Sequence, residues 1–140
     1  MAPGYVSSMP IDFEIDQRAR RVIARAVGPV VLSDVLACFD AITVHDAATY
    51  SKLLDMREAL VQLSDDDMMI LAARASVYAA FRPGPIALVV DMTRESAVFA
   101  RRYQNLARSG REIRLFPSLE TAQDWLAKAT TEPLKQQPPS

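Results

Sequence analysis

The segment Ile86–Val90 (IALVV) constrains the fold more than any other part of this 140-residue chain. All five residues are apolar, so both sides of an extended segment would have to be buried. A strand that is buried on both faces is typical of the interior of a parallel sheet covered by helices. The segment therefore predicts an α/β fold with this strand near the centre of the sheet.

The residues before it predict that the sheet begins with a hairpin. Ile11, Phe13 and Ile15 alternate with acidic residues, which indicates a half-buried strand. A second predicted strand, residues 21–27, follows after a short turn, and Gly28-Pro29 is expected to end it. Two strands joined by a short turn pair antiparallel, so we expect one antiparallel pair at the start of the sheet.

From residue 32 onward the pattern alternates between helix and strand. Helical spacing of apolar residues predicts four helices, and Ser33, Ser64, Thr93 and Ser118 stand where their N-caps are expected. The residues between the helices predict the remaining three strands, over Tyr50–Met56, Ile86–Val90 and Arg111–Phe116.

The resulting order is β-β-α-β-α-β-α-β-α, which predicts an α/β sandwich. We expect a mixed, mostly parallel five-stranded sheet with helices packed on it. Residues 1–10 are expected to form a flexible leader, residues 11–129 a single α/β domain, and residues 130–140, which are rich in proline, a disordered tail.

Charge and hydropathy exclude several classes of protein. The formal net charge is −1, so no basic surface for nucleic acid is expected. No apolar run approaches the roughly 20 residues that a spanning helix needs, so no integral membrane segment is expected. The first residues have neither the charge nor the apolar core of a signal peptide, and we expect a cytoplasmic protein.

The residue types that common catalytic and metal sites need are scarce. The chain has one cysteine, Cys38, and one histidine, His45. Seven residues on one helix would separate them by about 10 Å, which is beyond the reach of a nucleophile–base pair. The four glycines form neither of the common phosphate-binding motifs. We therefore predict no catalytic residue, no metal and no cofactor, and a protein that is not an enzyme.

Polar residues at the expected ends of two strands form the first candidate site. Asp55 is expected to end the third strand and is followed by Arg57, whereas Asp91 ends the fourth strand and is followed by Thr93 and Arg94. The carboxyl ends of parallel strands meet at one edge of the sheet, where ligands bind. These residues predict a rim that binds a ligand or a protein partner. The alternative is that they are ordinary turn and cap residues.

Apolar residues of the second and third helices and of the turns beside them form the second candidate site. Met68, Met92, Phe99 and Tyr103 are flexible or aromatic, and such residues line pockets for apolar small molecules. The same residues could instead form a dimer face or part of the ordinary core.

Three segments, taken in order, resemble the SpoIIAA-like bacterial proteins. They are Leu53–Ala59 (LLDMREA), Ile86–Val90 (IALVV) and Arg111–Leu126 (REIRLFPSLETAQDWL). That family is grouped with the STAS domains (sulfate transporters and anti-sigma-factor antagonists) and with SEC14-type lipid-binding folds. The resemblance covers about residues 11–129 and implies an α/β sandwich with a mixed sheet and no known enzyme activity.

The phosphorylation switch of the family does not carry over to this chain. True anti-sigma-factor antagonists have a phosphorylatable serine or threonine directly after the aspartate of the third strand. Here Asp55 is followed by Met56, and the next hydroxyl is that of Ser64, nine residues on. The sequence thus predicts a homodimeric, non-enzymatic STAS-like interaction or regulatory module with a protein partner. The alternative is a small carrier or sensor of an apolar, lipid-like ligand.

Overall fold

The computed structural model describes residues 10–78, 80, 83–106 and 113–131. Within these residues the elements follow the predicted order. The strands are β1 (Ile11–Asp16), β2 (Arg21–Val30), β3 (Ser51–Val61), β4 (Ile86–Val89) and β5 (Ile113–Phe116). The helices are α1 (Leu32–Val44), α2 (Asp65–Tyr78), α3 (Glu95–Leu106) and α4 (Leu119–Thr131). Most of the predicted leader and tail, residues 1–9 and 132–140, lies outside the described residues.

The five strands form one sheet in the order β1-β2-β3-β4-β5. β1 and β2 pair antiparallel, and the three remaining pairs are parallel. All four residues of β4 are buried, as their apolar character predicted. The predicted mixed, mostly parallel α/β sandwich is therefore confirmed. In the part of the chain that the structure describes, no helix has the length and hydropathy needed to cross a membrane.

The two faces of the sheet carry different numbers of helices, because successive strand residues point to opposite sides. Leu54 and Leu88 pack with residues of α1, α2 and α3 on what we call the three-helix face. Leu53 and Val89 pack against Leu126 and its neighbours on α4, on what we call the one-helix face. Each face has its own apolar core, so the sheet is the middle layer of three.

β2 continues to Val30, so the prediction that Gly28-Pro29 ends this strand is wrong. Gly28 has a φ of +76°, a left-handed conformation that glycine adopts without steric cost. Arg25 pairs with Asp55 but Val27 pairs with Glu58, so β3 advances three residues while β2 advances two. The strand passes the glycine next to a β-bulge rather than ending there.

β3 extends five residues beyond its predicted end at Met56, to Val61. The added segment Glu58–Val61 pairs with Val27–Val30 of β2. The extension depends on a partner strand about 30 residues earlier in the chain. As a consequence Asp55 lies within β3, and the prediction that it ends this strand is wrong.

Two of the four predicted N-caps are confirmed. The Ser64 hydroxyl accepts a hydrogen bond from the Asp67 amide at 3.0 Å, and the Ser64 amide donates to the Asp67 carboxylate at 3.0 Å. The Ser118 hydroxyl likewise accepts from the Thr121 amide at 3.3 Å. Both serines therefore satisfy amides in the first turn of their helices.

The other two predicted caps are wrong. Ser33 lies inside α1, which Val31 precedes, and the Asp34 carboxylate accepts a hydrogen bond from the Val31 amide at 2.9 Å. Thr93 lies two residues before α3, and its hydroxyl donates to Asp91 instead. In both cases the helix begins within one turn of the expected residue. Local sequence preferences do not locate the first residue of a helix more precisely than this.

Candidate functional site

Asp55 and Arg57 form a bidentate ion pair on β3. The Arg57 guanidinium donates from Nε to Asp55 Oδ1 and from Nη2 to Oδ2, both at 2.9 Å. The Arg57 amide donates to the same Oδ1 at 3.2 Å. The Asp55 side chain is only 12% exposed, whereas the Arg57 side chain is 41% exposed. A buried carboxylate thus holds a guanidinium that still faces solvent.

The electrostatics of the pair follow from this geometry. Burial by itself would raise the pKa of Asp55. The hydrogen bonds from Arg57, with the charges of Arg57 and Arg25, outweigh burial and hold the pKa of this carboxyl below its usual value. The hydrogen bonds to Asp55 raise the pKa of Arg57. Both groups are therefore charged at neutral pH.

A second ion pair lies beside the first. Arg25 of β2 donates from Nη2 to Glu58 Oε2 at 3.3 Å, and both side chains are more than half exposed. Arg57 and Glu58 are consecutive residues of β3, and each forms an ion pair: Arg57 with Asp55, and Glu58 with Arg25. The bulge allows these two pairs to lie beside each other. We call Arg25, Asp55, Arg57 and Glu58 the ionic cluster. Sequence reasoning missed Arg25 and Glu58, because the register shift that joins them has no local signal.

The predicted residues after β4 form a compact turn, residues 91–94, which we call the rim turn. Asp91 Oδ1 accepts hydrogen bonds from the Thr93 amide at 3.0 Å and the Thr93 hydroxyl at 2.7 Å. The Arg94 amide donates to the Asp91 carbonyl at 3.0 Å. The hydrogen bonds from Thr93 lower the pKa of Asp91. These contacts give the turn a defined conformation and leave the Arg94 side chain exposed.

The register relates the rim turn to the ionic cluster. Asp55 lies beside Val89, and Asp91 follows Val89 by two residues. The two groups thus lie toward the same end of β4, as the sequence predicted. Among the described residues, no hydrogen bond or ion pair joins Asp55 or Arg57 to Asp91, Thr93 or Arg94. The hydrogen bonds of the Asp55–Arg57 pair lie within the ionic cluster, and those of Asp91 and Thr93 lie within the rim turn.

Phe99 and Tyr103 lie on the three-helix face, away from the ionic cluster. Their rings stack with centroids 6.1 Å apart, and both line an apolar cavity of about 90 Å³. Met68 is buried and Met92 is exposed, but neither lines this cavity. The structure therefore places two of the four predicted pocket residues around one internal space.

A buried lysine in the wall of this cavity was missed by the sequence reasoning. The Lys52 amine donates to the Ala48 carbonyl at 2.6 Å and to the Tyr50 carbonyl at 2.7 Å. These carbonyls stabilise an ammonium group that burial would otherwise disfavour. From the sequence alone, a buried lysine within an apolar strand cannot be told apart from a lysine that is exposed to solvent.

The chain's cysteine, Cys38, is half-buried and lines the same cavity. Burial raises the pKa of Cys38 to about 11, so its sulfur is a thiol rather than a nucleophilic thiolate at neutral pH. His45 is the C-cap residue of α1, and its ring packs edge-on to Phe13 with centroids 6.3 Å apart. Within the described ranges, no group of three or more His, Cys, Asp or Glu side chains could hold a metal ion.

The mixed five-stranded sheet, with three helices on one face and one on the other, is a SpoIIAA-like α/β fold. An uncharacterised protein of the DUF3478 family from Shewanella loihica PV-4, described as having a SpoIIAA-like fold, matches with a TM-score of 0.57. The two sequences are 20% identical, and the match covers 86% of this chain and 97% of the other.

A second solved structure is the anti-sigma factor antagonist SpoIIAA in its unphosphorylated form. It matches with a TM-score of 0.52 and 12% identity, over 84% of this chain and 97% of SpoIIAA. No family model and no curated protein matches the sequence. The resemblance drawn from residues 53–59, 86–90 and 111–126 is thus confirmed at the level of the fold.

Proposed function

We propose that this protein is a non-enzymatic interaction module of the STAS type, which binds another protein through Arg57 and the rim turn. The observation that carries the proposal is the Asp55–Arg57 pair. A buried carboxylate fixes a guanidinium that is still 41% exposed. The SpoIIAA-like fold supports the same class of function.

The pair lowers the cost of binding. An arginine side chain ordinarily loses about 0.5–1.5 kcal/mol of conformational free energy when an interface immobilises it. Arg57 is already ordered by two hydrogen bonds to Asp55, so much of this loss occurs on folding. Arginine is also among the residues that contribute most to protein interfaces. Asp55 is accordingly a positioning residue, and Arg57 is the residue that would contact the partner.

The rim turn adds a second contact region. Its conformation is set by the hydrogen bonds from Thr93 to Asp91, while Met92 and Arg94 are exposed. An exposed methionine beside an exposed arginine has the mixed apolar and charged character of protein interfaces. A partner that contacts Arg57 at this end of the sheet could therefore also contact Met92 and Arg94.

The proposal includes no phosphorylation switch. The Ser64 hydroxyl accepts a hydrogen bond from the Asp67 amide in the first turn of α2. A phosphoryl group on this hydroxyl would lie beside three consecutive aspartates, Asp65 to Asp67. Repulsion between these charges disfavours the modification.

The size of the cavity favours the interaction module over the carrier of an apolar, lipid-like ligand. The space beside Phe99 and Tyr103 is about 90 Å³. Pockets for drug-sized ligands are about 300–1,000 Å³, and even a benzene-binding cavity is about 150 Å³. A lipid-like ligand would require α1 or α3 to move away from the sheet.

Affinity capture with quantitative mass spectrometry tests the proposal. Extract from the source cells is passed over the wild-type protein and over the variants Arg57→Gln and Arg94→Ala. We expect a protein that the wild type retains to be reduced about tenfold on each variant, which corresponds to about 1.4 kcal/mol of binding free energy. Arg114→Ala, on β5, is the matched control and should retain the partner.

Thermal unfolding of each variant separates loss of binding from loss of fold. Arg94→Ala removes a side chain that makes no described hydrogen bond or ion pair, so its melting temperature should equal that of the wild type. The proposal is contradicted if folded Arg57→Gln and Arg94→Ala retain the same proteins as the wild type.

A further inference from the structure

The helix α2 is apolar on two opposite sides. Met68, Leu71 and Ala75 face the core and are buried. On the outer side, Met69 is 65% exposed and Val77 is 65% exposed. Ala73 lies midway between them, four residues from each, and is also exposed. Since residues four apart share one side of a helix, these three residues form a stripe on the outer surface, which we call the α2 stripe.

The α2 stripe differs from the outer side of α4. The exposed residues there are mostly polar, and they include Glu120, Gln123, Asp124 and Lys128. A surface helix is ordinarily polar on the side away from the core, as α4 is. Ile70, which is 48% exposed, widens the apolar surface of α2 further. Exposed apolar side chains that adjoin one another in this way are a feature of interaction sites.

Ion pairs border the α2 stripe on both sides. Arg74 donates to Asp40 of α1 at 2.8 Å, and Arg102 of α3 donates to Asp65 at 3.2 Å. An apolar centre with a charged border is the usual anatomy of a protein interface. Because each border contains both a cation and an anion, the surface is suited to a partner whose own border has the same composition.

We propose that a second copy of this chain covers the α2 stripe, with the two α2 helices antiparallel across a twofold axis at Ala73. In this arrangement Met69 of each copy lies against Val77 of the other, and Ala73 lies against itself. The small side chain at the axis permits helix axes to approach within about 8–10 Å. The stripe is thus complementary to itself, as a twofold interface requires.

Charge selects the antiparallel arrangement. Asp66 is exposed on the same side of α2, seven residues before Ala73. In an antiparallel pair, 14 residues at 1.5 Å each separate the two Asp66 residues by about 21 Å. This is more than twice the Debye length of about 8 Å at physiological salt, so their repulsion is screened. A parallel pair would place the two carboxylates side by side. The twofold axis also places the Arg74–Asp40 pair of one copy beside the same pair of the other copy. Arg74 of each copy can then pair with Asp40 of the other.

Sedimentation equilibrium tests whether the dimer forms through this surface. We expect the wild type to dimerise with rising concentration and Ala73→Arg to weaken the dimer more than about tenfold, because it places two cations at the axis. Gln123→Arg, which adds the same charge on the outer side of α4, is the matched control and should dimerise as the wild type does. Circular dichroism establishes that both variants are folded.

Disulfide cross-linking tests the position of the axis. In a Cys38→Ser background, Ala73→Cys should form a covalent dimer, because the Cα atoms at a close helix crossing lie about 5 Å apart, within disulfide reach. Val44→Cys, at an exposed position on α1, is the control and should cross-link at least about tenfold more slowly. Met69→Cys mixed with Val77→Cys should cross-link faster than either variant alone.

The proposal is overturned if the wild type is a monomer across the concentration range, or if Ala73→Arg and the wild type dimerise equally. A monomer that captures a different protein through Ala73 would also overturn it, and would assign the α2 stripe to that partner. The test is independent of the proposed function, because Arg57→Gln and Arg94→Ala leave the α2 stripe unchanged.

Discussion

The two faces of the sheet are covered in different ways. On the three-helix face, α1, α2 and α3 cover the strands but leave a cavity of about 90 Å³. On the one-helix face, α4 packs closely on Leu53, Ala87 and Val89, and the ionic cluster lies beyond it. Five strands about 4.8 Å apart are wider than one helix of about 10 Å. The part of this face that α4 leaves open is accordingly charged.

The comparison explains why the proposed binding residues lie where they do. A face covered by three helices can bury apolar side chains at every strand. Where the packing of these side chains is incomplete, a cavity is left. A face covered by one helix must place polar side chains on the remaining strands. Asp55 is buried where the covered part of the sheet meets the charged, uncovered part. Its hydrogen bonds fix the orientation of Arg57.

The largest predicted effect concerns the single helix of the one-helix face. Leu126 is fully buried between α4 and the sheet, so Leu126→Ala should destabilise the protein by about 3 kcal/mol or more. Leu54→Ala on the other face should cost about 2 kcal/mol, because Leu54 is half-buried beside the existing cavity. Urea unfolding measures both, and a larger loss for Leu54→Ala would refute the difference between the faces.

A smaller effect is predicted at the ionic cluster. Arg57→Ala removes the guanidinium that pairs with the buried Asp55 carboxylate and should destabilise the protein by about 2 kcal/mol at pH 7. The pKa of Asp55 is lower in the folded state than its usual value, so the pair stabilises the fold above about pH 4 and loses this effect as pH falls through the lowered pKa.

Urea unfolding at a series of pH values measures this dependence. The difference between the wild type and Arg57→Ala should shrink as the pH falls below about 4, since Asp55 is then increasingly protonated. Arg25→Ala is the control, because the exposed Arg25–Glu58 pair should contribute less than about 1 kcal/mol. A difference for Arg57→Ala that does not change with pH would show that the charge of Asp55 is not the cause.

The smallest effect is a gain in stability on the three-helix face. Ala24 lines the cavity, and Ala24→Val would fill part of it with a side chain that suits a strand. At about 24 cal/mol per Å³, filling half of the space should stabilise the protein by about 1 kcal/mol. Ala87→Val on the fully packed one-helix face should instead destabilise it. Thermal unfolding distinguishes the two, and destabilisation by Ala24→Val would mean that the cavity cannot accept a larger side chain.

The sequence by itself determined the order of elements and the mixed sheet. The alternation of Ile11, Phe13 and Ile15 and the apolar run Ile86–Val90 are local patterns, and local patterns report which sides of an element are buried. The caps at Ser64 and Ser118 were predictable for the same reason, because a cap and the amide it satisfies lie within one turn.

Only the tertiary structure decided where the candidate site residues meet. The pairing of Val27–Val30 with Glu58–Val61 lengthened β2 and β3 past their expected ends, and the bulge beside it joined Arg25 to Glu58. These contacts link residues about 30 positions apart, and their free energy depends on the strand that lies alongside. A sequence pattern within one segment contains no information about that neighbour, whereas the folded sheet sets the register and with it the partners of each charge.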